Sequence, residues 1–211
     1  MLKAAFSLVL IFIVLVLAEY LFRGHKIKNE DSRKLIHIFV ASFVATWPFY
    51  MTYHYIELIS LAFFVVIVLS RYLKVFQSIH KVGRKSMGDI LFPISILISA
   101  LLAPSRLVFV VVMLNIGLAD GLAAIVGVRL GKHTKKAKFG HTKSFAGSLT
   151  FFIVALAILL FIKVFPIHLN HLGWPMVAIL PLATALIENL SGYGSDNITV
   201  PLAILVALRW L

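Results

Sequence analysis

The chain is 211 residues long, with 61% apolar residues and only 13% Asp, Glu, Lys or Arg, against roughly 45–50% and about 25% in an ordinary soluble domain. So few charges could not cover a soluble fold of this size without exposing large apolar patches, and the composition predicts one integral membrane domain over residues 1–211. Twenty Lys and Arg against eight acids give a net charge of +12; the cations fall in short hydrophilic segments, which points to anionic lipid headgroups and phosphorylated ligands rather than nucleic acid. With no Cys, disulfides, thiolate metal sites and a cysteine nucleophile are excluded.

The fold class expected is all-α: a polytopic helical membrane protein. A bilayer core takes about 20 mostly apolar residues per helix, and the candidates in chain order are roughly 2–22, 35–52, 56–73, 90–104, 106–130, 147–166, 173–190 and 196–211, about eight transmembrane helices. The first resembles a signal peptide over Ala4–Ala18, but Glu19 to Phe22 extend it toward a full span. Pro48, Pro93, Pro181 and Pro201 lie inside spans, where kinks or a partly re-entrant segment are expected. Sixteen of the twenty cations lie in segments 23–34, 71–89 and 129–146. Because cytoplasmic loops collect Lys and Arg, both termini are predicted to be non-cytoplasmic, in what is expected to be a prokaryotic cytoplasmic membrane. Apolar faces leave room for a homodimer.

The chemistry-bearing residues follow the same order. Arg33, Lys34 and His37 begin the second span, with Arg33 and His37 on one helical face; His37, inside the apolar run, needs a partner. Asp120 sits within the fifth run, where a lone acid costs about 2.5–3.5 kcal/mol on insertion scales. A metal, substrate or proton site and a purely structural ion pair both account for such a residue. Ala124, Gly127 and Gly131 share its face, either as an open ligand face or as a surface for close helix packing. The segment from Arg129 to Ser148 carries six cations and no acid. Its Lys143-Ser144 and Gly147-Ser148 open the next helix, where amides and dipole favour an anion. A Walker pattern is absent: three residues, not four, separate Gly127 from Gly131-Lys132, and His133 stands where Ser or Thr is required. The turn from Glu188 through Asp196 and Asn197 carries no cation and offers hard oxygen ligands of the kind Mg²⁺ takes, though Asp196 would serve equally as a helix N-cap.

Four blocks in order resemble the polyprenol kinase family, which includes phytol kinase, dolichol kinase and CTP-dependent diacylglycerol kinase and is related more distantly to phosphatidate cytidylyltransferases. They are Arg33-Lys34-x-x-His37; Asp120-Gly121-x-Ala123-x-x-x-Gly127-x-x-x-Gly131-Lys132; Lys143-Ser144-Phe145-Ala146-Gly147-Ser148; and Glu188 followed by Asp196-Asn197-Ile198-Thr199-Val200-Pro201. The chain departs from many relatives at Ala146, where Glu is common, and at Ala119, where Gly is common. The resemblance implies Mg²⁺-dependent transfer of the γ-phosphate of CTP, or another nucleoside triphosphate, to a long-chain isoprenoid alcohol at the cytoplasmic face. It implies Asp120 and Asp196 at Mg²⁺, with Asn197 assisting and Glu188 as a further candidate ligand. Lys132, Lys143, Ser144 and the amides near Gly147 would bind nucleotide phosphates, and Arg33, Lys34 and His37 would orient phosphate or alcohol. The base stays open between Asp120, His37 and Glu188. Two other readings are compatible with the residues: a cytidylyltransferase forming a CDP-lipid, and a small ion- or proton-coupled transporter with Asp120 as its site.

Overall fold

The computed structural model describes residues 2–23, 29–76, 86–130, 134–136, 142–164 and 172–209. Among the described residues, a helix lies at each of the eight apolar runs. These helices are α1 (Leu2–Arg23), α2 (Asn29–Val44), α3 (Tyr53–Tyr72), α4 (Gly88–Leu102), α5 (Arg106–Leu130), α6 (Phe145–Val164), α7 (Trp174–Leu190) and α8 (Asp196–Ala207). A 3₁₀ turn at Trp47–Phe49 follows α2. One feature lies outside the all-helical expectation: β1 (Thr134–Lys136) and β2 (Thr142–Ser144) pair antiparallel within the basic segment between α5 and α6.

Four of the eight, α1, α3, α5 and α6, are long and apolar enough to cross a membrane. The others are shorter, as the apolar runs of α4 and α8 already indicated. The 12-residue α8 extends about 18 Å and the 15-residue α4 about 22 Å at about 1.5 Å per residue, less than the roughly 30 Å hydrocarbon core. Helix α2 opens on the polar run Asn29-Glu30-Asp31-Ser32-Arg33-Lys34 and stops ahead of the buried Trp47-Pro48 turn, which shortens its apolar part.

Helix α5 is the centre. Two thirds of its apolar window is buried (67%), against 22–33% in the other three long helices, and α2, α6 and α8 pack around it. Helix α3 pairs with α4, α4 with α8, α8 with α7 and α7 with α6, while α1 lies outermost against α2 and α3. The exposure of α1 fits that place: Ser7, Ile11, Leu15, Ala18 and Glu19 form one buried stripe, and Phe6, Val9, Phe12, Ile13 and Val16 face outward, as expected where lipid replaces water.

Close approach at α5 depends on small residues on both flanks. A Cβ at Gly121 would collide with Cγ1 of Ile38, and one at Gly117 would lie 2.6 Å from Cβ of Ala41, so these glycines admit α2. On the α6 side, a Cβ at Gly127 would lie 3.4 Å from Cα of Gly147. The small-residue spacing noted after Asp120 is therefore, at Gly127, a helix-packing surface.

Described residues of the segments 23–34 and 71–89 meet the α7–α8 turn at one end. The Arg71 guanidinium lies 3.6 Å from Asp89, Met87 N–H donates to the Tyr193 carbonyl (2.8 Å), and a Cβ on Gly88 would come within 3.2 Å of Arg33. Gly194 anchors the α7–α8 turn here with φ +88°, where a Cβ would lie 2.5 Å from the backbone nitrogen of Gly88. Gly194→Ala combines left-handed strain with a backbone clash, and a stability loss of about 1–3 kcal/mol is expected. Thermal inactivation of the purified protein in lipid measures it; an unchanged midpoint would mean that the turn does not need its close seat on α4.

Candidate active site

Asp120 owes its orientation to a local break in the helix. Residues Asn115–Ala119 form a π turn within α5, and Asp120 resumes the α-helix directly after it. Such a turn rotates the following residues relative to a regular α-helix and often marks a working site. Its surroundings are α2, α6 and α8, the helices that bring the other polar groups.

From α2, Lys34 Nζ donates to Asp120 Oδ2 at 2.6 Å, with both side chains about nine-tenths buried. His37 Nε2 lies 3.1 Å from the Ile116 carbonyl and 3.8 Å from Asp120 Oδ2. A carbonyl only accepts, so that contact places a proton on Nε2 and leaves Nδ1 as the acceptor of a neutral ring. The partner that an intramembrane His37 requires is thus in α5.

From the α6 side, Lys143 bonds Glu188 and lies 3.6 Å from Asp196 Oδ2. Burial disfavours the charged form of this lysine, yet the Glu188 and Asp196 carboxylates beside it raise its pKa above the ordinary lysine value. A group raised in the folded state contributes stability that is complete below about pH 10.4 and is lost only as pH rises through its higher folded value. Lys143 therefore adds no pH dependence to stability between about pH 6 and 9; a thermal-inactivation series whose Lys143→Met difference changed in that window would contradict this.

Ser144 Oγ donates to the Gly127 carbonyl (3.2 Å) and accepts from the Gly147 amide (3.1 Å). Both residues, expected at nucleotide phosphates, are here engaged in capping α6 and joining it to α5. Lys132, expected in the same role, and Gly131, expected on the Asp120 face, lie outside the described residues. Asp196 is the first residue of α8 and Ser195 its N-cap, so Asp196 falls one position past the capping role. The Asp196 carboxylate accepts from the Asn197 amide (3.1 Å), and Asn197 Nδ2 donates to the Gly88 carbonyl (3.3 Å).

These elements bring three carboxylates together. One oxygen each from Asp120, Glu188 and Asp196 lie within 4.8 Å of one another, with Asp120 and Glu188 buried. Glu188 Oε2 is buried without a hydrogen-bond partner, a costly arrangement for a carboxylate oxygen. Three acids balanced by Lys34 and Lys143 form a site of hard oxygen donors, which suits Mg²⁺ or a similar cation. Prolines add to the polarity of this end: Pro93 and Pro201 lack the N–H that would bond the carbonyls of Asp89 and Asn197 four residues earlier.

Asp89 escapes the sequence reading. Its side chain is 6% exposed and faces Arg71. The signal was present: Asp89 is the sole acid in the segment 71–89 and lies in the first turn of a short apolar helix. It lines a cavity together with Arg33, Lys34, His37, Asp120 and Asn197 at the polar end.

The fold and site define a helical membrane protein whose central helix carries a buried acid into a three-carboxylate, two-lysine cluster, with Asp120 and Lys34 also lining a cavity of mixed polar and apolar walls. No family model matches the chain, and no solved structure does. A phytol kinase from Synechocystis sp. is 29% identical over 193 residues, covering 90% of this chain and 82% of that enzyme. This similarity over most of both chains agrees with the four blocks in order, which resemble the polyprenol kinase family.

Proposed function

We propose that the protein is a membrane kinase that transfers the γ-phosphate of CTP, or another nucleoside triphosphate, to the hydroxyl of a long-chain isoprenoid alcohol. The observation that carries this reading is the convergence of Asp120, Glu188 and Asp196 within 4.8 Å, beside a cavity whose polar end holds Lys34 and His37. The similarity to a phytol kinase supplies the class of acceptor.

In this reading Asp120, Glu188 and Asp196 hold Mg²⁺, assisted by Asn197. When bound, Mg²⁺ neutralises charge on the phosphates and orients them. Lys34 and Lys143, which balance the acids in the structure, turn toward the phosphate oxygens of the nucleotide. Arg33 lies beside Gly88 and adds a planar donor suited to phosphate. His37 receives the alcohol hydroxyl. The alcohol oxygen bonds the γ-phosphorus, the bond from that phosphorus to the β,γ-bridging oxygen breaks, and CDP leaves. The hydroxyl proton goes to His37 Nδ1, a site carboxylate or water. A loose transition state asks little of a base and much of positioning, which is what these buried side chains provide. The positive-inside distribution of cations supports a cytoplasmic position for this end.

The test is transfer of labelled γ-phosphate from CTP or ATP to phytol, farnesol, polyprenols and diacylglycerol by purified protein, with and without Mg²⁺. A lipid monophosphate formed only with Mg²⁺ is expected. A CDP-lipid and pyrophosphate from CTP and a lipid phosphate would instead make the protein a cytidylyltransferase, and nucleotide-independent ion flux in proteoliposomes would make it a transporter.

A further inference from the structure

The cavity beside the acid cluster has two chemically distinct ends. Beyond the polar groups it is walled by Leu15 of α1, Ile36 and Val40 of α2, Phe63 and Ile67 of α3, and Phe92 of α4. A row of rings joins the ends: His37 stands edge-on to Phe92 (centroids 4.6 Å apart), and Phe92 edge-on to Phe63 (6.3 Å). An amphiphile fits such a gradient in one direction, with its hydroxyl at His37 and Asp120 and its carbons along the rings.

The cavity is also short. Along α2 its lining runs from Arg33 to Val40, about 10 Å of helix axis, which holds the first carbons of a lipid alcohol and not its whole tail. The remainder must leave, and α1 lies on the outer side of the cavity. Helix α1 contributes Leu15 alone to the lining, packs against α2 and α3, and turns an apolar outer face away from the protein. The outer face of α3 is apolar too, with Leu58, Leu61, Val65 and Leu69 exposed.

We infer that this cavity is the acceptor slot: one hydrocarbon chain enters the bilayer between α1 and α3, past Leu15, Phe63 and Ile67, and these three side chains select which lipid alcohols are accepted. The slot takes a single-chain alcohol and rejects a two-chain glyceride. This inference rests on the kinase reading for its chemistry, but the seam itself is tested by binding.

The experiment uses the full chain in lipid nanodiscs and a single-chain isoprenoid alcohol carrying a diazirine in its tail. After irradiation, adducts are mapped by mass spectrometry. Expected adducts fall on the Leu15 region of α1 and on Phe63 and Ile67 of α3, and excess unlabelled phytol suppresses them while diacylglycerol does not. Ile67→Trp is expected to abolish the α3 adducts and to raise KM for the alcohol about tenfold or more, a pocket effect of ordinary size, with a much smaller change in KM for the nucleotide. Phe63→Ala, which widens the slot, is the companion variant should Ile67→Trp not fold; it is expected to shift preference toward bulkier tails. Adducts spread evenly over outward faces, insensitive to competing alcohol, would overturn the slot, and equal competition by diacylglycerol would overturn its single-chain selectivity. Labelling at the seam without phosphate transfer leaves the slot standing and removes the kinase reading. Transfer with labelling elsewhere does the reverse.

Discussion

Asp120→Asn is expected to lower phosphate transfer by at least about 10²–10³-fold, the loss typical of removing a charge-stabilising group from a preorganised site. It also strands Lys34, whose Nζ is 2.6 Å from the carboxylate and buried. Breaking a buried pair from one side costs about 3–5 kcal/mol because the remaining charge has no partner. Adding Lys34→Met removes that charge, and the double variant is expected to recover most of the stability while staying inactive. The cycle separates two roles for the pair. If Asp120 served packing alone, the double variant would be as active as Lys34→Met by itself; if it holds the reaction's cation, the double variant stays far below Lys34→Met and only stability returns. Thermal inactivation and γ-phosphate transfer, measured on wild type and the three variants in the same lipid, decide the matter.

Lys143→Met is expected to move two affinities in opposite directions. Three carboxylates within 4.8 Å repel one another, and Lys143 relieves part of that by bonding Glu188 with Asp196 at 3.6 Å. A divalent cation entering the cluster competes with this ammonium. Unit charges at about 4 Å interact by about 4 kcal/mol at an effective dielectric of 20, so even partial relief of the competition should tighten cation binding about tenfold or more. The same change removes a donor for nucleotide phosphates and should raise KM for CTP. Titration with Mn²⁺ followed by paramagnetic resonance reads the first effect, and steady-state kinetics at saturating Mg²⁺ the second. A purely structural Lys143 would weaken both together as the site loosened. Glu188→Gln supplies the control: its unpartnered Oε2 contributes less charge as an amide, so cation affinity should fall.

Much of this protein is legible in its residues. Apolar runs located the eight long helices among the described residues, because a chain in lipid must satisfy its backbone within each segment and so writes such helices as composition. The cost of a carboxylate in hydrocarbon singled out Asp120, and an imidazole in the same medium singled out His37. The cation-free turn drew attention to Glu188, Asp196 and Asn197. Asp196–Ala207 and Gly88–Leu102 stand out in the sequence as short apolar runs, but hydropathy reports apolarity and not reach, so it does not say whether they cross. Asp89 was overlooked among the cations of its segment, and the cap that Ser144 makes on Gly147 shows only in the folded structure.

By itself, then, the sequence determines that this is a helical membrane protein, where its helices lie and which polar groups require partners. The tertiary structure decides who those partners are. Lys34 meets Asp120 because Gly117 and Gly121 let α2 approach α5, and the cap of Ser144 on Gly147 joins α6 to Gly127 of α5. Glu188 and Asp196 join Asp120 only where the α7–α8 turn, seated through Gly194, reaches α4. Transfer costs belong to single residues and can be read from composition. Ion-pair and metal geometry depend on interhelical distances of a few ångströms, set by packing among residues far apart in the chain.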